Sequence, residues 1–94
     1  MRPYELMMIL EPELEDHQAL TDEVQEVVRN LGGGIEKVDV WGKRRLAYPI
    51  QKRTEGHYSI FTFKMEPDKV PEVERILRLK QQVLRHMITL RDES

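Results

Sequence analysis

One stretch of the chain, residues 41–53, combines positive charge with apolar and aromatic side chains. It contains five cations and no acidic residue. The cations are Lys43, Arg44, Arg45, Lys52 and Arg53, and among them stand Trp41, Leu46, Tyr48 and Ile50. Such cations can neutralise phosphates, while the apolar and aromatic groups can pack on a sugar, a base or a partner protein. The composition also fits an ordinary solvated hairpin, so both interpretations stay open at this point.

The residues that catalysis or metal binding would need are scattered. His17, His57 and His86 fall on different predicted elements without metal-ligand spacing, and the chain has no cysteine to join them. Neither serine, Ser59 or Ser94, lies in a nucleophile elbow, and no glycine-rich phosphate motif is present. We therefore predict a protein that is not an enzyme and has no cofactor, metal or small-molecule substrate.

Length and composition indicate one globular domain. The chain has 94 residues, of which 39% are hydrophobic and 34% charged. The absence of cysteine fits a reducing compartment, and neither a membrane span nor a signal peptide is recognisable. We expect a soluble, cytoplasmic protein without a membrane partner.

Charge is distributed unevenly along the chain. Residues 1–31 contain two basic and eight acidic residues, a balance of −6; because the total is −2, residues 32–94 carry +4. No acid occurs between Gly42 and Arg53 or between Arg75 and Arg91. A weakly acidic protein can therefore present one strongly basic face.

The first third of the chain predicts a strand followed by a helix. Residues 2–10 alternate, with Tyr4, Leu6, Met8 and Leu10 on one face. Apolar residues on the other face too indicate either an interior strand or a second face that meets a partner. Residues 16–31 carry a single apolar stripe typical of a helix. Asp16 lies at its start, and Gly32 is placed to end it in the left-handed conformation.

The middle of the chain predicts one long strand and a returning strand. Alternation begins at Ile35 and can continue through residue 50, with Gly42 at a bulge. We place a turn at residues 54–56 and the returning strand at residues 57–65, which is apolar on both faces and so central. Phe61 and Phe63 are expected in the core.

The last third predicts a second helix and a final strand. Asp68 is the expected N-cap, and Pro71 fits the first helical turn. The last strand spans residues 83–91 with its phase unsettled, and residues 92–94 form a short disordered tail. The order strand, helix, strand, strand, helix, strand predicts an α+β, ferredoxin-like β-α-β-β-α-β domain, 1–94, with both helices on one face of a four-stranded antiparallel sheet.

Three places in this order resemble the bacterial ribosomal protein S6 family, and the similarity covers nearly the whole chain. The opening is Met1-Arg2-Pro3-Tyr4-Glu5. The central motif is Gly42-Lys43-Arg44-Arg45-Leu46-Ala47-Tyr48-Pro49-Ile50, followed by Lys52 and by Gly56-His57-Tyr58. The end has Leu77-Arg78-Leu79 and then Val83-Leu84-Arg85. Some relatives continue beyond the last strand with a longer acidic segment, so any function of that segment is in doubt here.

The resemblance implies a structural, RNA-binding protein without catalytic activity. Such a protein binds 16S-type ribosomal RNA in the central domain of the small subunit, cooperatively with the eighteenth small-subunit protein, and supports assembly and translation. The matching positions suggest RNA-facing cations at Arg2, Lys43, Arg44, Arg45, Lys52 and Arg53. They suggest protein-partner contacts at Trp41, Leu46 and Tyr48. Core packing at a strand end is the alternative for Leu46 and Tyr48, and Arg2 joins the other cations only if the first strand begins beside them.

Two other functions share the same topology. An RNA-recognition module would stack bases on aromatic residues of the third strand, but the spacing of Phe61 and Phe63 fits that motif badly. A ferredoxin-like regulatory or ligand-binding domain would dimerise through the open sheet face. The clustered cations argue against the second function, because such a domain has no evident use for them.

Overall fold

The computed structural model describes residues 1–91 and has the predicted order of elements. The strands are β1 (Arg2–Leu10), β2 (Gly34–Ile50), β3 (Arg53–Met65) and β4 (Val83–Leu90), and the helices are α1 (His17–Asn30) and α2 (Val70–Arg78). The strands pair antiparallel in the order β2-β3-β1-β4, which is the ferredoxin-like arrangement. The predicted disordered tail, 92–94, lies outside the described residues.

The core lies between the two helices and one face of the sheet, which we call the helix face. Its largest members are Phe61 and Phe63 on β3, both fully buried, as predicted. They pair with Leu6 and Tyr4 of β1 and pack with the apolar stripes of both helices. The helix residues are Leu20, Val24 and Val28 on α1 and Val73 and Leu77 on α2. As predicted, β1 and β3 are the two central strands, and the other side of the sheet is the open face.

Helix α1 has the predicted signals at both ends. The Asp16 carboxylate accepts a hydrogen bond from the Ala19 backbone N–H at 3.0 Å. At the other end Gly32 has φ +85°, and its N–H donates to the Arg29 carbonyl, while the Gly33 N–H donates to the Val28 carbonyl. This pair of hydrogen bonds is a Schellman motif, which requires the left-handed conformation that glycine adopts most easily.

The turn predicted at residues 54–56 is wrong. The chain reverses at Gln51 and Lys52, whose φ angles are 50° and 67°, and β3 already begins at Arg53. Glu55 and Gly56 pair with Arg45 and Arg44 inside the β2–β3 ladder. Two consecutive left-handed residues form a two-residue hairpin turn that Asn and Gly favour, so a Gln-Lys pair gave no signal for it.

The capping residue predicted for the second helix is also wrong. Asp68 lies within a 3₁₀ turn, Pro67–Lys69, and α2 begins one residue after Lys69 without a side-chain cap. Pro71 does lie in the first turn of α2, as predicted. The proline at 67 starts the earlier turn and so moves the helix start beyond Asp68.

The structure settles the phase of β4, which ends at Leu90 rather than at residue 91. His86 and Ile88 pair with Met8 and Leu6, so both lie on the helix face. Arg85 and Met87 pair with Ile9 and Met7 on the open face. Leu84 stands at a register irregularity between Val83 and Arg85, which is why simple alternation could not assign it.

A close approach at Gly33 joins the end of α1 to β3. A Cβ atom at this position would lie 2.7 Å from the Lys64 carbonyl oxygen and 2.9 Å from a Val28 methyl group. The adjacent Gly34 has no heavy atom within 4 Å of the same imagined Cβ, and neither residue has a positive φ. The two glycines therefore differ in available space.

We expect Gly33→Ala to destabilise the fold by about 1–3 kcal/mol, because backbone and core atoms must move to admit the methyl group. Gly34→Ala is the matched control and should stay within about 0.5 kcal/mol of wild type. Urea unfolding measures the free energy of unfolding of both variants. Equal free energies of unfolding for the two variants would contradict the steric assignment.

Two histidines stack where α1 begins against β3. The rings of His17 and His57 are 3.8 Å apart between centroids and nearly parallel, at 7°. Nε2 of His17 lies 3.0 Å from the Glu11 carbonyl oxygen, while Nδ1 of His57 is buried and has no hydrogen-bond partner among residues 1–91. Burial lowers the pKa of His57 below its ordinary value, and the charge of His17 lowers it further.

Stability should fall in mild acid because of this pair. The unfolded chain binds a proton at His57 with an ordinary pKa of about 6.5, whereas the folded chain binds it only at lower pH. The unfolded state therefore holds more protons once the pH drops through that value, and the free energy of unfolding decreases. In urea unfolding between pH 8 and pH 5, the free energy of unfolding should decrease less for His57→Gln than for wild type. His86→Gln leaves the stack intact, so its free energy of unfolding should depend on pH as in wild type. If His57→Gln also showed the wild-type pH dependence, His57 would not be the cause of the acid destabilisation.

Candidate nucleic-acid interface

The basic stretch forms a hairpin that extends beyond the rest of the sheet. Leu10, the last residue of β1, pairs with His57 of β3, and His57 pairs on its other side with Lys43 of β2. Residues further toward the turn have no β1 strand beside them. We call residues 41–57 the basic hairpin; it projects from the end of the sheet and ends at the Gln51–Lys52 turn.

A bulge at the base of the hairpin places an aromatic pair on the open face. The register shifts between Val40 and Gly42, and Gly42 has φ +82°, as the predicted bulge requires. Trp41 is the extra residue, and its ring stacks on Tyr58 with centroids 6.4 Å apart at 15°. Arg44 lines the same shallow depression beside the two rings. The bulge therefore turns Trp41 toward a surface that already carries an arginine.

A larger irregularity lies nearer the turn. Between the pairs Arg45–Glu55 and Ile50–Arg53, residues 46–49 of β2 stand opposite Thr54 alone. These four residues leave the ladder and lie over the end of the open face. Leu46 is buried there at 8% exposure, and a side chain at Gly56 would collide with Ile9 and touch Leu46.

Four of the predicted RNA-facing cations are gathered on the hairpin and exposed. They are Lys43, Arg44, Arg45 and Lys52. Arg44 lies on the open face opposite Gly56, whereas Lys43 and Arg45 lie on the other side opposite His57 and Glu55. Within residues 1–91 none of the four forms an ion pair or a side-chain hydrogen bond. Their charge is therefore available on both sides of the hairpin.

The two remaining predicted cations are placed differently. The Arg53 guanidinium is half-buried and donates to the Glu11 carboxylate at 2.6 Å, so its charge is already paired within the chain. Arg2 pairs with Met65, eight residues along β3 from His57, which is about 26 Å from the base of the hairpin. The first strand therefore does not begin beside the other cations, which was the condition for grouping Arg2 with them.

The predicted partner-binding residues also separate. Trp41 and Tyr48 are 50% and 54% exposed, so their rings are accessible. Leu46 is buried against the sheet, which is the core-packing alternative at a strand end. Its side chain supports the hairpin and is not available for contact without rearrangement.

Sequence reasoning did not identify the other side chains of the open face. Beside Trp41, a groove of about 400 Å³ is lined by residues of all four strands, including Met7, Lys37, Ile60 and Met87, and by Arg91 just after β4. The sequence did contain a sign of this apolar surface, because β1 and β3 are apolar on both faces. An alternating pattern alone could not show that Met7, Ile60 and Met87 would adjoin the Trp41–Tyr58 pair.

Other classes of site find no support in the described part of the chain. Among residues 1–91 no three histidine, cysteine or acidic side chains are grouped to hold a metal ion. No described helix has the length and apolar character needed to cross a membrane. Phe61 and Phe63 are fully buried on the helix face, so they cannot stack bases as an RNA-recognition module would require.

Comparison with known proteins identifies relatives along the whole chain. Residues 3–89 match the family described as ribosomal protein S6. The small ribosomal subunit protein bS6 of Dictyoglomus turgidum is 47% identical, over 100% of this chain and 99% of the relative. The protein of the same name from an Arthrobacter species is 45% identical, over 100% of this chain and 95% of the relative.

A solved structure agrees with the same assignment. The crystal structure of 30S ribosomal protein S6 from Thermotoga maritima has a TM-score of 0.91 and 30% identity, covering 96% of this chain and 87% of that one. The chain therefore belongs to the ribosomal protein S6 family, as its motifs indicated. The family consists of ribosomal structural proteins without enzymatic activity, and its bacterial members work in the cytoplasm.

Proposed function

We propose that this member of the ribosomal protein S6 family is a structural constituent of the small ribosomal subunit that binds 16S-type ribosomal RNA in the central domain. It binds together with the eighteenth protein of that subunit and supports subunit assembly and translation. The observation that carries the proposal is a group of four exposed cations on a hairpin that projects from the sheet, none of which forms an ion pair within residues 1–91.

The RNA contact is electrostatic in this proposal. Each phosphate neutralised by Lys43, Arg44, Arg45 or Lys52 releases condensed counterions, so affinity depends steeply on salt. Arg53 contributes only if it exchanges its Glu11 partner for a phosphate. Arg2, at the other end of the sheet, would make a separate contact. Because cations on phosphates carry little sequence information, specificity comes from RNA shape and from the partner.

The protein partner contacts the open face around Trp41. The Trp41–Tyr58 pair and the exposed Tyr48 ring provide an apolar surface of the kind that dominates protein interfaces. Leu46 acts indirectly, because its buried side chain lies beside Gly56 and supports the hairpin from within. With a net charge of −2 the chain should bind RNA weakly alone and strongly with a basic partner.

A dimeric regulatory domain remains the second candidate, since exposed Met87 and Trp41 on the open face are what such a dimer would cover. Gel filtration distinguishes the two functions. A stable homodimer that buries the open face and does not bind RNA would favour the regulatory domain, and a monomer would oppose it.

The RNA proposal predicts a specific change in salt dependence. We expect Lys43→Ala/Arg44→Ala/Arg45→Ala to weaken binding to a central-domain RNA fragment and to reduce the slope of log affinity against log salt by about 2–3, since each lost phosphate contact removes about 0.7–0.9. Titrations across a salt series, with and without the eighteenth protein, measure both quantities.

A matched control removes the same charge from the helix side of the molecule. Lys69→Ala/Arg75→Ala/Arg78→Ala should leave the slope near the wild-type value, because these residues lie away from the hairpin. Trp41→Ala should lower the gain in affinity that the partner provides and leave the slope of the chain alone unchanged. Equal slopes for the two triple variants would contradict the assignment of phosphates to the hairpin.

A further inference from the structure

The outer part of the basic hairpin is joined to the opposite edge of the sheet. Tyr48 belongs to β2, one edge strand, and Arg85 belongs to β4, the other edge strand. An Nη1 hydrogen of Arg85 is donated to the Tyr48 hydroxyl oxygen. The Arg85 guanidinium carbon also lies 5.8 Å from the centre of the Tyr48 ring, within the range of a cation–π contact.

This contact spans a groove on the open face. Tyr48 reaches across β3 and β1, and the floor beneath it includes Met7, Ile9 and Tyr58. Arg85 pairs with Ile9, which places its side chain on the open face at the end of the sheet nearest the hairpin. The two residues therefore meet because the hairpin lies over the sheet at this point.

We propose that Arg85 is a positioning residue that holds the basic hairpin in the arrangement used for phosphate binding. The proposal rests on the proposed RNA-binding function. Residues 46–49 lie outside the ladder, so backbone pairing does not fix where they lie. Side-chain contacts must therefore hold this segment in place. Leu46 lies beside Gly56 at one end of the segment, and the Arg53–Glu11 ion pair lies beyond its other end, at the start of β3. The Tyr48–Arg85 contact anchors the part of the chain between them.

The effect on binding is one of preorganisation. A hairpin segment already fixed before binding loses less conformational entropy when its cations meet the phosphates. Removing the anchor should lower affinity without changing how many phosphates are contacted. Since each phosphate contact contributes to the salt slope, the slope should stay at its wild-type value.

The same residue could instead touch RNA directly, because Arg85 is exposed and positively charged. Direct contact would give a different result: loss of Arg85 would lower the slope by about 0.7–0.9, and changing Tyr48 would have little effect. The salt slope and the Tyr48 variant therefore separate the two roles.

The first test needs no RNA. Amide hydrogen exchange of the free chain should be faster in residues 46–53 of Arg85→Gln and of Tyr48→Phe than in wild type, because either change weakens the anchor. Arg78→Gln is the matched control, since it removes the same charge from the end of α2 and should leave exchange in the hairpin unchanged. Equal exchange in wild type and Arg85→Gln would overturn the anchor.

The second test measures RNA binding of the same variants in the presence of the partner protein. We expect Arg85→Gln to bind about two- to fivefold more weakly at every salt concentration, as for loss of an exposed cation–π contact and its hydrogen bond. The double variant with Tyr48→Phe should be no weaker than Arg85→Gln alone, because the two residues act through each other.

Two binding results would overturn the positioning role. The first is that Arg85→Gln binds RNA as tightly as wild type although its hairpin exchanges faster. The second is that Arg85→Gln shows a reduced salt slope while Tyr48→Phe binds like wild type. If wild type itself binds no RNA with or without the partner, the proposed function fails, and a positioning role in RNA binding fails with it. The exchange experiment would then still decide whether Arg85 anchors the hairpin.

Discussion

The pairing of β2 with β3 is the interaction on which the rest of the structure depends. Its register places Phe61 and Phe63 in the core, and the same register places Tyr58 and Ile60 on the open face. Because side chains alternate strictly along a strand, a shift of one residue would exchange the two faces and expose the core. The hairpin can extend beyond β1 only because this ladder continues past Leu10.

The sequence predicted features that depend on local chemistry. The limits of α1 followed to within one residue from the acidic Asp16 at its start and from Gly32 at its end, because both signals involve neighbours in the chain. The central positions of β1 and β3 followed from apolar residues on both faces. The motif around Lys43 was enough to indicate the family before any comparison.

The features that sequence reasoning missed depend on contacts between distant residues. The pairing of Arg53 with Glu11, 42 residues away, engages one of the predicted cations within the chain, and no local pattern shows it. Sequence reasoning left core packing open for Leu46, and alternation could not show that residues 46–49 leave the ladder, which is where the buried Leu46 side chain lies. The Gln51–Lys52 turn was missed because pairing of the flanking strands, rather than residue preference, imposes its conformation.

The irregular register of β2 has a further consequence, since this strand of 17 residues is an unpaired edge of the sheet. A long, flat edge is a template on which another copy of a chain can add a strand and begin to aggregate. Register shifts after Ile35, Val40 and Arg45 divide β2 so that no regular run exceeds four residues. Three consecutive cations occupy the outer part of that edge. The same bulges and charges that shape the basic hairpin therefore also oppose edge-to-edge assembly of this chain with a second copy of itself.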